Sequence, residues 1–460
     1  NSAGVDCSDH EVNIKILTGM LERTGQLTRK RRDALLRSMV DEVAAQVLAD
    51  NYNQTLALSL EQMDAVGELE PHAQFMAGLE REGRLDRAVE GLPDAIVITE
   101  RAKAGLGLTR PELAVIMAYG KLELSRDIVE STAPEDPFFE VTLEGYFPKP
   151  LRRYDEAIRK HRLRREIIAT AVANDLVNRC GPTFPTRLQQ AAACDTAALV
   201  SGYEAAKAVL DIPILWNTVA ALDGKVPATG QMALFRRLAA ILRGTTFWLA
   251  RRAWREKLPV ASLVQRYGAG LKSLRKLTPD ILSPVERAAY EARADKLTEA
   301  GAPRDLACQV SALQPLSTAA DLVDLAEASS WPLAPVARLY HEAGAAFAFD
   351  RLRAAAGGFS AGDAFERTAV RRLIEDLLAE QAALTRAVMA FAGAAQAGET
   401  AASAASAVAS WAALRPELTA AARRTIEEIE QAGGDWTFAK LTIANAALRE
   451  LAADGPRKKR

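Results

Sequence analysis

Histidine and cysteine are scarce, four of each in 460 residues, and their placement excludes whole classes of chemistry. Cys7, Cys180, Cys194 and Cys308 form no CxxC pair and have no histidine at ligand spacing. Neither a zinc staple nor a disulfide framework is expected, and no metal is assigned. His10, His72, His161 and His341 share no helical face, so they read as surface or satisfied core histidines. Long apolar runs are missing too, since none reaches the roughly 18 to 20 residues of a membrane-spanning helix, and nothing at the start resembles a signal peptide. Charge of one sign is also lacking. With 58 basic against 59 acidic side chains, no global field draws nucleic acid or an anionic membrane. The expectation is a cytoplasmic chain with reduced thiols and with neither nucleic acid nor membrane as partner.

Helix-forming sequence dominates. Alanine, leucine, glutamate and arginine prevail, and apolar residues recur at three and four, so the fold class is all-α, mainly helical and in several blocks. Thr109-Arg110-Pro111-Glu112 combines a capping threonine, a first-turn proline and a glutamate at the third helical position, which predicts a helix start. Leu113, Ile116, Met117 and Leu124 form its inner stripe. Leu163 to Cys180 keeps helical period through Ile167, Ile168, Val172 and Leu176 before the stop Gly181-Pro182. Met232 to Trp254 is a third helix, with Phe235, Leu238, Leu242 and Leu249 inward and Arg237, Arg243, Arg251 and Arg255 facing solvent.

Proline and glycine clusters divide the chain. The expected blocks are 1–25, 26–150, 151–280, 281–393, an Ala-rich connection with C-terminal helices at 394–455, and a disordered basic tail at 456–460. Ala394 to Ala413 reads as a flexible connection or a weak helix. The clusters Arg29-Lys30-Arg31-Arg32 and Arg162-Leu163-Arg164-Arg165 are diluted by Asp33 and Glu166, and read as solvated helix ends or intersubunit ion pairs. Asn174 and Asn178, at i and i+4, are expected to hydrogen-bond between helices.

The opening, Asn1-Ser2-Ala3-Gly4-Val5-Asp6-Cys7-Ser8-Asp9-His10-Glu11-Val12, spaces Ser8 and Glu11 as a capping box. It reads as a loop feeding a helix N-terminus, a place suited to a carboxylate or phosphate, with its supporting strand expected before Asn1. Asn-x-x-Gly-Val-x-x-Ser followed by a helix resembles the stretch that closes the cofactor domain of glutamate dehydrogenases. The wording is similar to the large bacterial NAD-specific class. So are Leu108 to Val115, Tyr146-Phe147-Pro148, His161 to Thr170, Ala173 to Arg179 and Lys225 to Ala228, which together span roughly Asn1 to Arg252.

The resemblance implies that the chain is a C-terminal part of an enzyme oxidising L-glutamate to 2-oxoglutarate and ammonium with NAD. Its N-terminal edge is then the last loop and helix of an incomplete Rossmann-like domain. Residue by residue, Ser8 matches the serine that meets the substrate's side-chain carboxylate, and Val5 the apolar wall beside its methylenes. Asn1 matches the asparagine beside the nicotinamide and its ribose, and Gly4 permits close backbone approach. The family's lysine of lowered pKa, its aspartate and its glycine-rich dinucleotide turn find no match, so no catalytic residue is assigned and NAD is expected to be held mainly by an upstream domain. Gly105-Leu106-Gly107 and Gly268-Ala269-Gly270 are read as helix boundaries.

Two alternatives were weighed. Gly358-Phe359-Ser360-Ala361-Gly362 fits a hydrolase nucleophile elbow, but Tyr340 to Ala356 reads as helix where the elbow needs a strand, and Ser360 with Asp363 reads as a cap. The helical body reads as support for homo-oligomer contacts and domain closure, or else as a non-catalytic interaction or regulatory module.

Overall fold

The computed structural model describes the backbone of residues 3–359 and 364–453 and, in the first helix, side chains from Cys7 onward. Asn1, the Val5 side chain, Ser360, Asp363 and the basic tail therefore lie outside the described residues. Helices run throughout, and no strand occurs among the described residues. The chain forms two compact units, residues 1–208 with 242–264, and residues 209–241 with 265–460. The helix Ala228–Glu256 contributes to both.

In the first unit, Arg164–Cys180 packs most extensively on Arg110–Glu130, and both rest on Val40–Asp64, which also carries the first helix, Ala3–Arg23. The stripes legible in the sequence become the core: Leu113, Ile116, Met117 and Leu124 are buried, as are Ile167, Ile168, Val172 and Leu176. Glu112 starts the first of these helices by accepting from the Thr109 backbone N–H at 2.7 Å. It also receives the Arg101 guanidinium at 2.6 and 2.9 Å. Burial pushes the Glu112 carboxyl up, and these donors more than offset that and hold it low. Gly181 ends Arg164–Cys180 with φ of 91°, a conformation open to glycine. A Cβ there would also meet Glu61 Oε2 at 2.8 Å, the carboxylate whose other oxygen contacts His72 Nε2 at 2.9 Å.

The second unit is built around Leu333–Ala346, which buries Val336, Ala337, Leu339, Tyr340, His341 and Ala343 and is flanked by Ala320–Ser329, Phe349–Gly357, Ala364–Ala392 and Ala401–Ala413. Of the two readings of the Ala-rich stretch, connection or helix, Ala401–Ala413 is helix. Thr400 Oγ1 accepts from the Ser403 backbone N–H at 3.0 Å, and Trp411 is fully buried. Its small side chains let it lie close against its neighbour while one large ring anchors it. The residues ahead of Ser360 form the helix Phe349–Gly357, so the hydrolase elbow lacks the strand it needs.

A polar network joins four elements of this unit. Glu286 Oε2 lies 2.6 Å from His341 Nδ1, and its Oε1 accepts from Arg353 at 3.1 Å. Arg353 also donates to Gln381 Oε1, whose amide in turn donates to the Tyr340 carbonyl at 2.8 Å. Ser283 caps Pro284–Glu299 by accepting from Glu286 N–H at 3.2 Å, and its hydroxyl donates to Asp350 at 2.8 Å. Burial raises Glu286, but His341, Arg353 and the Ser283 N–H prevail and hold it down at about 2. A folded value below the unfolded one means stability that is complete above about 4.5 and is lost as pH falls toward about 2. Its size is on the order of 3 kcal/mol. Glu286→Gln is therefore expected to lower the thermal midpoint near neutrality and to flatten its decline through that acid window. An acid limb as steep as the parent's would refute the assignment.

Candidate functional site

The first helix presents two faces. Inward go His10, Asn13, Ile14, Leu17, Thr18 and Leu21, all buried. Outward go Ser8, Glu11, Val12 and Lys15, all exposed. The helix begins at Ala3, so Ser8 sits in its second turn and does not cap it. Glu11 explains the difference. Instead of reaching back to the Ser8 N–H, its carboxylate pairs with Lys15 one turn ahead, and alanine at the start favours continued helix. Gly4 is helical backbone here.

The inner face is fixed by residues far along the chain. Tyr146 OH donates to Asp9 Oδ2 at 2.7 Å and accepts from Asn13 Nδ2 at 2.9 Å. Asn13 Nδ2 also approaches Asp9 Oδ1 at 3.2 Å. The His10 ring stacks on Tyr146 with centroids 4.6 Å apart. Burial first, then the Asp9 carboxylate, push the Tyr146 phenol far above its ordinary range, so it remains a donor. His161 completes the clamp. Its Nδ1 accepts from Leu163 N–H at 3.1 Å, so Nε2 carries the proton and donates to the Asn13 carbonyl at 3.2 Å. Burial lowers its pKa, in keeping with a neutral ring. Tyr146 and His161 belong to two of the stretches singled out in the sequence, and the fold brings both to the first helix.

A third such stretch, Ala173 to Arg179, builds an ionic hub behind the clamp. Asp175 Oδ1 accepts from Arg179 Nε at 2.7 Å, and Oδ2 accepts from Lys207 Nζ at 2.7 Å and Tyr203 OH at 2.8 Å. Lys207 also reaches Glu204 at 2.9 Å. Burial raises Asp175, but Arg179 and Lys207 overcome it and hold the carboxyl well below its usual range. Burial lowers Lys207, yet Asp175 and Glu204 leave its pKa above the ordinary lysine value. A lysine that activates water needs the opposite shift, so Lys207 is a structural cation. Burial first, then the Asp175 charge, push the neighbouring Cys180 thiol up, to about 12, against the nearby cations, and leave it unreactive.

The asparagines flanking Asp175 do not bridge helices as expected: the buried Asn178 Oδ1 has no hydrogen-bond partner. The aspartate between them takes that role, because a carboxylate gathers three donors where an amide oxygen accepts two at most. The arginines of Ala228–Glu256 also differ from expectation. Arg255 is exposed, but Arg237, Arg243 and Arg251 are half-buried, with Arg243 donating to the Cys180 carbonyl at 3.4 Å and Arg251 over the Phe247 ring. Of the two glycine pairs, Gly105 does end a helix, whereas Gly268 and Gly270 lie inside Val260–Leu277. A Cβ at Gly270 would meet Val323 at 2.7 Å, so close packing explains it. In the basic clusters Arg29, Lys30 and Arg31 are exposed at the start of Arg29–Ser38, a solvated helix end, while Arg32 pairs with Glu22, and Arg164 and Arg165 with Glu135, within the chain. No group of histidine, cysteine or acidic side chains among the described residues is arranged to hold a metal, and no described helix is long and apolar enough to cross a membrane.

The structure is a helical domain whose first helix is held by a tyrosine and a histidine from 130 or more residues away. The family follows from comparison. The chain belongs to the glutamate dehydrogenase C-terminal family, whose model matches residues 105–450. A second model, bacterial NAD-glutamate dehydrogenase catalytic domain, matches residues 1–61. The chain is similar to the NAD-specific glutamate dehydrogenase of Pseudomonas aeruginosa, 38% identical over 75% of this chain and 21% of that protein. For the Halomonas elongata protein of the same name the figures are 35%, 85% and 24%. For that of Mycobacterium tuberculosis they are 33%, 98% and 27%. The chain thus spans about a quarter of the length of these curated relatives.

Clamp and hub make distinct predictions. Tyr146→Phe removes one donor and one acceptor at a part-buried position, for a cost of about 1–2 kcal/mol. Hydrogen exchange at the amides of 14–21 is expected to speed up ahead of exchange in Arg110–Glu130; a uniform change across both helices would reject the local clamp. Asp175→Asn leaves Arg179 without its carboxylate and Lys207 with Glu204 alone, and since the lost carboxylate is 27% exposed the cost lies near the lower end of the buried-pair range, about 3 kcal/mol. A denaturant midpoint unchanged by Asp175→Asn would discount the hub.

Proposed function

We propose that the chain is the C-terminal segment of an NAD-dependent glutamate dehydrogenase, which turns L-glutamate, NAD and water into 2-oxoglutarate, ammonium, NADH and a proton. In this reading residues 1–25 close the catalytic domain. The Ser8 hydroxyl donates to the substrate's side-chain carboxylate, Val5 lines its methylenes, and Asn1 and Gly4 lie against the nicotinamide half of NAD. The dinucleotide is held mainly by sequence upstream, because no described strand leads into a glycine-rich turn here. The helical body supports homo-oligomer contacts and restrains closure of the catalytic domain, and the whole acts in the cytoplasm.

The observation that carries the reading is the presence, in one chain, of a catalytic-domain match at 1–61 and a C-terminal-domain match at 105–450. The names of the three relatives support the substrate and the cofactor. The first helix adds physical support, since its inner face is fixed while the face bearing Ser8 and Val12 is open. Val40 and Leu48, in the same 1–61 segment, are 61% and 67% exposed. Aliphatic side chains left open just beyond residues 1–25 fit burial against the catalytic domain. A free-standing interaction module leaves the 1–61 match unexplained.

Ser8→Ala in the full-length enzyme tests the assignment. Losing one hydrogen bond to a charged carboxylate is expected to raise the KM for glutamate about tenfold, with the KM for NAD nearly unchanged. An equal rise for both, or for neither, would remove Ser8 from the substrate site.

A further inference from the structure

Cations withdrawn from water in this chain are generally met by carboxylates: Lys207 by Asp175 and Glu204, Arg353 by Glu286, Arg101 by Glu112. Arg237 and Arg293 are not. Both are half-buried, and neither makes an ion pair or hydrogen bond among the described residues. Arg293 Nε is wholly buried with no acceptor.

Their helices bring them together. Thr229 Oγ1, at the start of Ala228–Glu256, donates to the Ala300 carbonyl at 3.0 Å, just beyond the end of Pro284–Glu299. A Cβ on Gly230 would lie 2.7 Å from Ala302 N, so the backbones touch there. Arg237 is seven residues on from Gly230, and Arg293 is seven back from Ala300. Seven residues are about two helical turns, which returns each side chain to the face where contact began. Two helices that touch at opposite ends thus carry one arginine each to the same level. The electrostatics agree: burial depresses Arg237, and burial together with the Arg237 charge pushes Arg293 down to about 10. Glu286 is the one acid whose field reaches Arg293 appreciably, and its oxygens are already engaged by His341 and Arg353. Ala233 and Ala240, a turn to either side of Arg237, are too short to cover it.

We propose that Arg237 and Arg293 form a binding site for a multivalent oxyanion, a phosphate or a dicarboxylate, that accepts from both guanidinium groups at once. Two like charges half removed from water repel, and neither can shed its proton near neutrality. A doubly charged anion between them relieves the repulsion and supplies acceptors for the unmet N–H groups. The planar guanidinium fork matches paired oxygens of either ligand class. A monovalent halide offers neither two charges nor that geometry. The site lies within the second unit and does not depend on the catalytic reading.

The test is thermal unfolding of the 460-residue chain in inorganic phosphate, in malonate, and in sodium chloride of equal ionic strength. At about ten times Kd, phosphate or malonate is expected to raise the midpoint by about 3 °C over chloride, and the stronger of the two identifies the ligand class. Arg237→Gln and Arg293→Gln are each expected to abolish the anion-specific rise while melting no lower than the parent in chloride. No anion-specific rise in the parent, or the same rise in the double variant, would overturn the proposal. Should a variant fail to fold, the 31P linewidth of phosphate with the parent chain decides. Broadening that sulfate reverses and chloride does not supports the site, and an unbroadened line overturns it.

Discussion

Everything that the first helix can do depends on where Tyr146 and His161 hold it. A helix of 21 residues standing alone in water has marginal stability, because nucleation is costly and propagation adds little per residue. Leu17 and Leu21 supply apolar burial, but apolar contact is non-directional and would tolerate rotation about the helix axis. Tyr146 removes that freedom. Its hydroxyl engages Asp9 and Asn13 together, two residues one turn apart, while the His161 ring takes the Asn13 carbonyl. With three directional bonds on one edge, the opposite edge, carrying Ser8, has a defined heading. A defined heading is what the substrate role proposed for Ser8 requires, more than affinity of its own.

The two buried ionic networks share one design. Asp175 in the first unit and Glu286 in the second each gather donors from more than one helix, and each is held low in pKa against the pull of burial. Such clusters add little net stability compared with a well-packed apolar replacement, because desolvation cancels most of the Coulombic gain. What they supply is selectivity. Alanine- and leucine-rich helices have many near-equivalent packings, and a carboxylate that must meet Arg179, Lys207 and Tyr203 at once is satisfied in very few of them. With no strand among the described residues, and so no ladder to fix register, polar hubs take over that task.

The sequence made the helices legible for a simple reason: the inner stripes of Arg110–Glu130 and Arg164–Cys180 follow the 3.6-residue period, and local capping chemistry marks their ends. It also flagged the stretches holding Tyr146, His161 and Asp175. It did not reveal that Tyr146 and His161 converge on Asn13, since contacts across 133 and 148 positions leave no local trace. Asp175 was passed over for the asparagines beside it, because i and i+4 spacing describes one helix face and says nothing of what the next helix brings. Lys207 and Tyr203 come from that next helix. The start of the first helix is hidden from local spacing for a similar reason. Ser8 and Glu11 satisfy the capping-box spacing, but Lys15 competes for the same carboxylate, and a pattern search for caps does not weigh the competitor.

The arginines of Ala228–Glu256 carry that lesson furthest. A periodic pattern sorts side chains into inner and outer, and on that sorting Arg237 belongs with Arg255 in water. The backbone contact at Gly230 changes the outcome, because a second helix laid against the first covers positions two turns away. The group on that second helix that feels the Arg237 charge is itself an arginine, Arg293. A like-charge pair half out of water, with neither member in an ion pair among the described residues, is the electrostatic imprint of a counter-charge supplied from outside the fold.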